Sequence, residues 1–302
     1  MTAIASAPKS AVRNRPRFSF DFVGLLPFTI FILVFLVLPA FSIVLRAVTD
    51  ASGTPTLENI AKLSSNQTIV IAYRSSLQVS VITAISGAVI GGLLAWAITL
   101  GKLPEWIRNT VLSFSGVAAN FAGVPLVFAF TALFGRLGMI NTLSRSLGGG
   151  ALVDPQQILY NLTGLCIVYT YFQIPLMVLI LTPALNGLRK EWREAAENLG
   201  ATQAQYWRYV AFPILTPALF GALALLFVNA FSTYATAIAL LGAMGQTFAV
   251  TVVVANQFRT DTFGDPGLGY ALAFSMMIVI AATVLIYTYS RRRAEQWLRI
   301  AE

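Results

Sequence analysis

Residues 189–213 read RKEWREAAENLGATQAQYWRYVAFP and separate two apolar runs, Ile158 to Leu188 and Ile214 to Leu241, neither of which contains an Asp, Glu, Lys or Arg. A helix needs about 20 mainly apolar residues to cross a bilayer. Both runs are long enough to span, so the polar segment between them is a connection on one membrane face. Within it, Glu191, Arg193, Glu194, Ala195, Ala196, Glu197 and Leu199 are mostly good helix formers. Gly200 stands where a helix end takes left-handed backbone, and Thr202 is suited to cap a second helix. Glu191, Glu194 and Glu197 recur at spacing three and form an acidic stripe beside an apolar one of Trp192, Ala195, Ala196 and Leu199. The expectation is a helix, turn, helix unit lying under the membrane.

Outward from this loop, four more stretches reach spanning length without a charged residue, approximately Phe22 to Leu45, Ser75 to Leu100, Thr110 to Gly135 and Gly267 to Ser290. The fold class expected is therefore all-α and integral to the membrane, with six transmembrane helices and the helix-turn-helix loop between helices 4 and 5. Residues 1–21 are an N-terminal tail, 22–290 the spanning domain with its loop at 189–213, and 291–302 a C-terminal tail. Pro27, Pro39, Pro125, Pro175, Pro183 and Pro217 offer places to kink. The first run ends at Leu45-Arg46-Ala47 without a small-x-small site, and it reads as a retained span. A transmembrane barrel is excluded, because its sequence would alternate over about 10-residue segments.

Composition agrees. Of 302 residues, 57% are hydrophobic and 11% charged, against about 25% charged in soluble domains. The net charge of +8 lies between apolar runs and not on one polar face, so nucleic acid is not an expected partner. With six spans both termini share a side, and 14 of the 20 Lys and Arg fall on it, which makes that side cytoplasmic by the positive-inside rule. Trp96, Trp106, Trp192, Trp207 and Trp297 fall on or near the same side.

The absences narrow function. With no histidine, imidazole catalysis and the usual transition-metal ligand set are missing. Cys166 is the single cysteine and lies in an apolar run, so no catalytic residue and no metal ligand is assigned. Ion-coupled carriers usually keep an ionisable group at membrane depth, and none of the six runs has one; a sodium site made of carbonyls and hydroxyls stays open. A phosphate loop of the form G-x-x-x-x-G-K-[ST] is absent, since the one Gly-Lys pair, Gly101-Lys102, is followed by Leu103. Transport, if active, is driven by a partner.

Glu194-Ala195-Ala196, then Gly200 four residues after Ala196, then Val210, Phe212 and Pro213, resemble the EAA motif of inner-membrane permeases in binding-protein-dependent ABC importers. Val210 and Phe212 replace the usual Ile and Leu of that motif. Residues 120–141 and 264–276 are also similar to the branch that handles spermidine and putrescine, sulfate, ferric iron, thiamine and aminoalkylphosphonates. The resemblance implies a permease in the bacterial inner membrane, paired with a second, identical or homologous permease. It further implies two cytoplasmic ATPase subunits that hold the ATP and magnesium, leaving this chain without a cofactor, and an external solute-binding protein. In this reading Glu194, Ala195, Ala196, Gly200, Val210, Phe212 and Pro213 form the ATPase-coupling surface.

Candidate pathway residues follow from polarity at membrane depth. Asn120, Gln173 and Asn229 lie inside spans 3, 4 and 5, and Ser232 and Tyr234, with Tyr169, Tyr171 and Thr233, extend the set. Each has two readings, pore lining or a hydrogen bond between helices. Gly87 and Gly91 form a G-x-x-x-G pair suited to close helix packing, and Phe121 and Phe128 are gate candidates. The run TFAVTVVVANQF, residues 247–258, is too short to span and reads as re-entrant or interfacial. The functional alternatives are a passive channel or facilitator and an ion-gradient-driven secondary transporter.

Overall fold

Lipid offers no partner to a backbone N–H or C=O, so a chain this apolar crosses a membrane only with its hydrogen bonds closed internally. The computed structural model describes residues 21–50, 52–101, 103–241, 249–259 and 264–300, and these are helical throughout except for turns, short connections and an isolated bridge between Thr49 and Pro55. In order the helices are α1 (Asp21–Ile32), α2 (Leu38–Ala47), α3 (Glu58–Ser65), α4 (Gln67–Leu100) and α5 (Glu105–Asn120). Then come α6 (Val124–Phe134), α7 (Met139–Ser146), α8 (Pro155–Ile158), α9 (Leu162–Asn186) and α10 (Lys190–Asn198). The last are α11 (Gln203–Tyr206), α12 (Phe212–Ser232), α13 (Ala235–Leu241), α14 (Val250–Gln257) and α15 (Pro266–Ile300). Six stretches are long and apolar enough to cross a membrane, as expected.

Two π turns interrupt this ladder, Leu33–Val37 and Trp207–Ala211, and each ends two residues before a proline, Pro39 and Pro213. A proline donates no N–H and crowds the carbonyl four residues back. The wider turn absorbs that crowding, with Leu38 N–H donating to Leu33 O and Phe212 N–H to Trp207 O.

The spine is the pairing of α4 with α9, the most extensive helix contact in the protein, joined by α12 and α5. Gly87 and Gly91 bring it about. A Cβ on Gly87 would lie 2.5 Å from Gln173 Cβ, and one on Gly91 2.5 Å from the carbonyl oxygen of Ile174. One core cluster, around Met177, Leu181, Leu215 and Leu226, fills the end nearer α10. A second, around Leu126, Leu165, Phe172 and Leu240, fills the opposite end. Span 1, by contrast, buries none of its apolar window within the chain.

Two spans differ from the sequence reading. The run Thr110 to Gly135 is not one helix: it starts earlier, at Glu105, and breaks at Phe121–Gly123, where Gly123 adopts φ +75°. The run Ile214 to Leu241 breaks at Thr233–Tyr234 between α12 and α13. Length and hydropathy alone select Val124–Ser146 as the third span. Arg108, however, donates to Asn186 Oδ1 at 3.1 Å, which anchors the start of α5 at the end of α9 that leads to α10. Span 3 is therefore α5 with α6, and α7 follows its exit. Helix α14 covers most of the apolar run at 247–258; Thr247 and Phe248 lie outside the described residues.

Because the atom facing Gly91 is a backbone oxygen that cannot swing aside, Gly91→Ala should force α4 and α9 apart and cost about 1–3 kcal/mol. The thermal midpoint of the purified protein in detergent should fall, whereas Gly116→Ala, which meets open space, should leave it nearly unchanged. Equal midpoints for the two variants would show that the helices do not depend on this approach.

Candidate functional site

Helix α10 ends as its sequence requires. Gly200 takes φ +76°, Gly200 N–H donates to Glu197 O at 2.9 Å, and Ala201 N–H donates to Ala196 O at 2.9 Å. This is a Schellman closure, and the bond reaching back farthest lands on the second alanine of the Glu194-Ala195-Ala196 run. The next helix opens with a capping box: Thr202 N–H donates to Gln205 Oε1 at 2.7 Å and Gln205 N–H to Thr202 Oγ1 at 3.3 Å.

The hairpin so formed shows a distinctive surface. Glu194 and Ala195 are exposed, Ala196 is half-buried, and Leu199 is 88% exposed, a large apolar residue left uncovered at the turn. Arg193 donates to Glu197 at 2.8 Å, which holds its guanidinium further above its ordinary range. Glu194 makes no ion pair among the described residues. Behind the hairpin Tyr206 is buried, and Trp207 packs edge-on against Trp96 of α4 at 6.5 Å and Phe212 at 5.9 Å. Val210 is half-buried, while Phe212 and Pro213 are exposed. A crevice of about 580 Å³ separates the hairpin from the end of α4, with Thr99, Arg193, Glu194 and Gln203 among its walls. The Thr99 hydroxyl is buried there without a hydrogen-bond partner.

The second feature is the pair of breaks, which meet. Gly123 N–H donates to Thr236 Oγ1 at 2.9 Å, joining the start of α6 to α13. The Thr233 carbonyl accepts from Tyr169 OH and from Thr251 Oγ1, each at 3.1 Å, which ties α12 to α9 and α14. Asn120, Ser232 and Tyr234 stand at these breaks, all exposed on the protomer, and Phe121 beside them is exposed too. Asn120 and Ser232 bond to carbonyls of their own helices, Gly116 and Val228. Asn229, one turn before the break, is half-buried.

Gln173 stands apart. It is fully buried, and its Nε2 donates to Leu226 O at 2.7 Å, so it links α9 to α12 and does not share the surface of the other candidates. Sequence reading placed the polar residues but missed the breaks that gather them. The signals present were Gly123 ahead of Pro125 and the Ser232-Thr233-Tyr234 cluster, each inside a run apolar enough to mask it.

At the opposite end from the hairpin, Lys62 pairs with Glu58 and with Asp265, both at 3.2 Å, joining α3 to the start of α15. Asp265 also accepts from Leu268 N–H at 3.2 Å, and its own N–H donates to Gln257 at the end of α14 at 3.0 Å. Partial burial opposes its ionisation, but the hydrogen bonds from Leu268 and Lys62 prevail and lower its pKa. Asp50 is held well below the usual carboxylate range by the hydroxyls of Thr54 and Ser52.

Six helical spans, two of them broken at membrane depth, and an exposed hairpin between spans 4 and 5 define a membrane permease. Residues 2–296 match the family described as binding-protein-dependent transport system inner membrane component, and the chain belongs to that family. It is 28% identical over 226 residues to the sulfate transport system permease protein CysT of Salmonella typhimurium, covering 74% of this chain and 76% of the relative. With the thiamine transport system permease protein ThiP of Escherichia coli it shares 28% identity over 160 residues, which is 53% of this chain but 28% of the relative. The fold matches a bacterial alginate ABC transporter, solved with an alginate pentasaccharide-bound periplasmic protein, at TM-score 0.70 and 15% identity, over 92% of this chain and 94% of the other. The protein is a permease subunit of an ATP-driven importer of the type I class.

Gly123 N–H is part-buried, so removing its partner costs up to the about 1–3 kcal/mol of a buried unsatisfied donor. Thr236→Val should therefore lower the thermal midpoint by destabilising the join at Gly123, whereas Tyr169→Phe should cost less, since Thr251 still serves the Thr233 carbonyl. A larger loss for Tyr169→Phe would mean that the breaks are held chiefly through α9.

Proposed function

We propose that this chain pairs with a second permease, identical or homologous, to enclose a pathway at the broken spans, and that α10 and α11 dock on two cytoplasmic ATPase subunits that carry ATP and magnesium. An external solute-binding protein delivers the substrate on the far side. The protein sits in the bacterial inner membrane with both termini cytoplasmic, in line with the 14 of 20 basic residues on that side. The substrate is a small charged solute. Sulfate and thiamine, named for two relatives, are the first chemistries to test.

The observation that carries this reading is the uncovered face of the hairpin. A glycine-closed turn presents a free carboxylate at Glu194, a small surface at Ala195 and Ala196, and an exposed leucine at Leu199. Small side chains admit a partner close to the backbone, and a carboxylate offers a charge-assisted bond to a basic residue. The π turn Trp207–Ala211 then joins the hairpin to α12, whose other end is the break at Thr233. Helix α12 is about 30 Å long, so movement imposed on the hairpin is delivered across the membrane to the break. For this to perform work, the ATPase must bind the hairpin differently in its open and closed states.

Two substitutions test the docking. Nothing lies within 4 Å of a Cβ built on Gly200, so Gly200→Val is opposed by backbone conformation alone, at about 1–2 kcal/mol. It should leave membrane insertion intact and reduce co-purification of the ATPase; unchanged co-purification and transport would remove the turn from the coupling path. Glu194→Lys reverses a charge whose hydrogen bond contributes about 1.5–3 kcal/mol, so substrate-stimulated ATP hydrolysis in proteoliposomes should fall about tenfold or more. Normal stimulation would make Glu194 a solvated surface acid.

A further inference from the structure

Helix α7, Met139–Ser146, follows the exit of span 3 by a turn at Gly135–Gly138. Span 3 enters with α5 on the side of α10 and leaves with α6, so α7 stands at the opposite exit of a spanning segment. Trp106 lies at the beginning of span 3, and α7 lies just past its end.

The roll of α7 is fixed. Asn141 is 1% exposed and its side chain is fully used: Nδ2 donates to Gly135 O at 3.2 Å and Val153 O at 2.8 Å, and Oδ1 accepts from Val153 N–H at 2.9 Å. At about 100° per residue, the face opposite Asn141 carries Met139 and Leu143, with Leu147 one turn further. These three are exposed by 63%, 58% and 79%. A helix whose polar residue points inward and whose apolar stripe points outward is inverted for water. Arg136 and Arg145 flank the stripe, both exposed, and neither forms an ion pair among the described residues; Asp154, the acid that follows α7 in the chain, accepts from Gln156 N–H at 3.0 Å.

We propose that α7 lies in the membrane interface as a lipid-binding element, with Met139, Leu143 and Leu147 among the acyl chains and Arg136 and Arg145 on the phosphates of anionic phospholipids. The placement is continuous with a spanning helix, and the unpaired positive charge complements phosphate. Such an anchor fixes the level at which α6 leaves the bilayer. Since α6 follows the break at Gly123 directly, the break of span 3 is held at set depth. The proposal does not depend on which side of the membrane α7 occupies, so it stands or falls separately from the assigned transport function.

The single cysteine makes the test direct. In a Cys166→Ser background, nitroxide labels are placed one at a time by Met139→Cys, Leu143→Cys and Thr142→Cys. The full-length chain, with the subunits that co-purify, is reconstituted in vesicles of phosphatidylethanolamine and phosphatidylglycerol. Relaxation by oxygen is compared with relaxation by a water-soluble nickel chelate. Labels at positions 139 and 143 should be reached by oxygen more than by nickel, and the label at position 142 more by nickel. Replacing phosphatidylglycerol by phosphatidylcholine, or introducing Arg136→Gln with Arg145→Gln, should shift the label at position 143 toward nickel. Nickel access at 139 and 143 in the anionic vesicles would place the helix in water. Loss of access to both reagents would mean that a protein subunit covers it. Insensitivity to lipid charge would remove the arginines from the contact. Any of these results overturns the proposal.

Discussion

In hydrocarbon each backbone N–H and C=O must find its partner inside the protein, and the shape of this permease follows from that demand. Where the helices are unbroken the demand is met locally. Where spans 3 and 5 break, it is met by side chains from elsewhere in the chain: Thr236 for Gly123, Tyr169 and Thr251 for Thr233. The breaks are thus fixed structural features, each closed by a hydroxyl on another helix. Val250 N–H, at the start of α14, is likewise met by Ser76 Oγ at 2.8 Å. An irregular segment at membrane depth persists only under such cover, and here the cover joins spans 2, 3, 4 and 5.

Tightly packed and exposed parts separate along the same lines. Helices α4 and α9 approach so closely at Gly87 and Gly91 that neither position has room for a Cβ, and Gln173 adds a buried bond from α9 to α12. The hairpin, by contrast, has a mostly exposed first helix and connects to α12 through a π turn. Proline 213 explains that turn, since it deprives the helix of one donor and crowds the carbonyl before it. The same device recurs at Pro39 in span 1, where there is no hairpin to drive. A π turn is therefore a local consequence of proline in either place, and its use in coupling depends on what lies upstream.

Much of this was legible in the sequence because it rests on short-range rules. Charge-free runs gave six spans, and Gly200 four residues past Ala196 with Thr202 behind it gave the hairpin, down to its left-handed glycine and its cap. The breaks were not legible, because hydropathy averages over the residues that matter: Gly123 sits in a run whose helix α6 is among the most apolar of the chain. Whether Gln173 faced a pathway or another helix was also out of reach. An amide in span 4 has the same sequence signature in either place; in the structure Nε2 of Gln173 donates to Leu226 O, and its Oε1 is buried without a partner. The start of span 2 differs for a plainer reason, while its end at Leu100 agrees. Arg74 ends the charge-free run, yet the helix continues back to Gln67 under an Asn66 cap, since a helix emerging from lipid needs no apolar residues to persist.

The absence of ionisable groups from the spans bears on how such a protein transports. A fixed charge beside the pathway would bind an oppositely charged solute tightly and repel one of like sign, and either effect works against passage. The groups at the breaks are amides and hydroxyls, which donate or accept as the solute requires and hold none of them strongly. In the proposed function, selection among solutes is made before the membrane, and directionality comes from an energy source outside this chain. Both requirements are met by a permease that receives its substrate already chosen and is moved through one exposed hairpin. In the proposed function, the polar economy of the spans and the exposure of Glu194, Ala195 and Leu199 belong together: groups that hold no solute strongly need a partner to select it and a surface through which another partner drives the path.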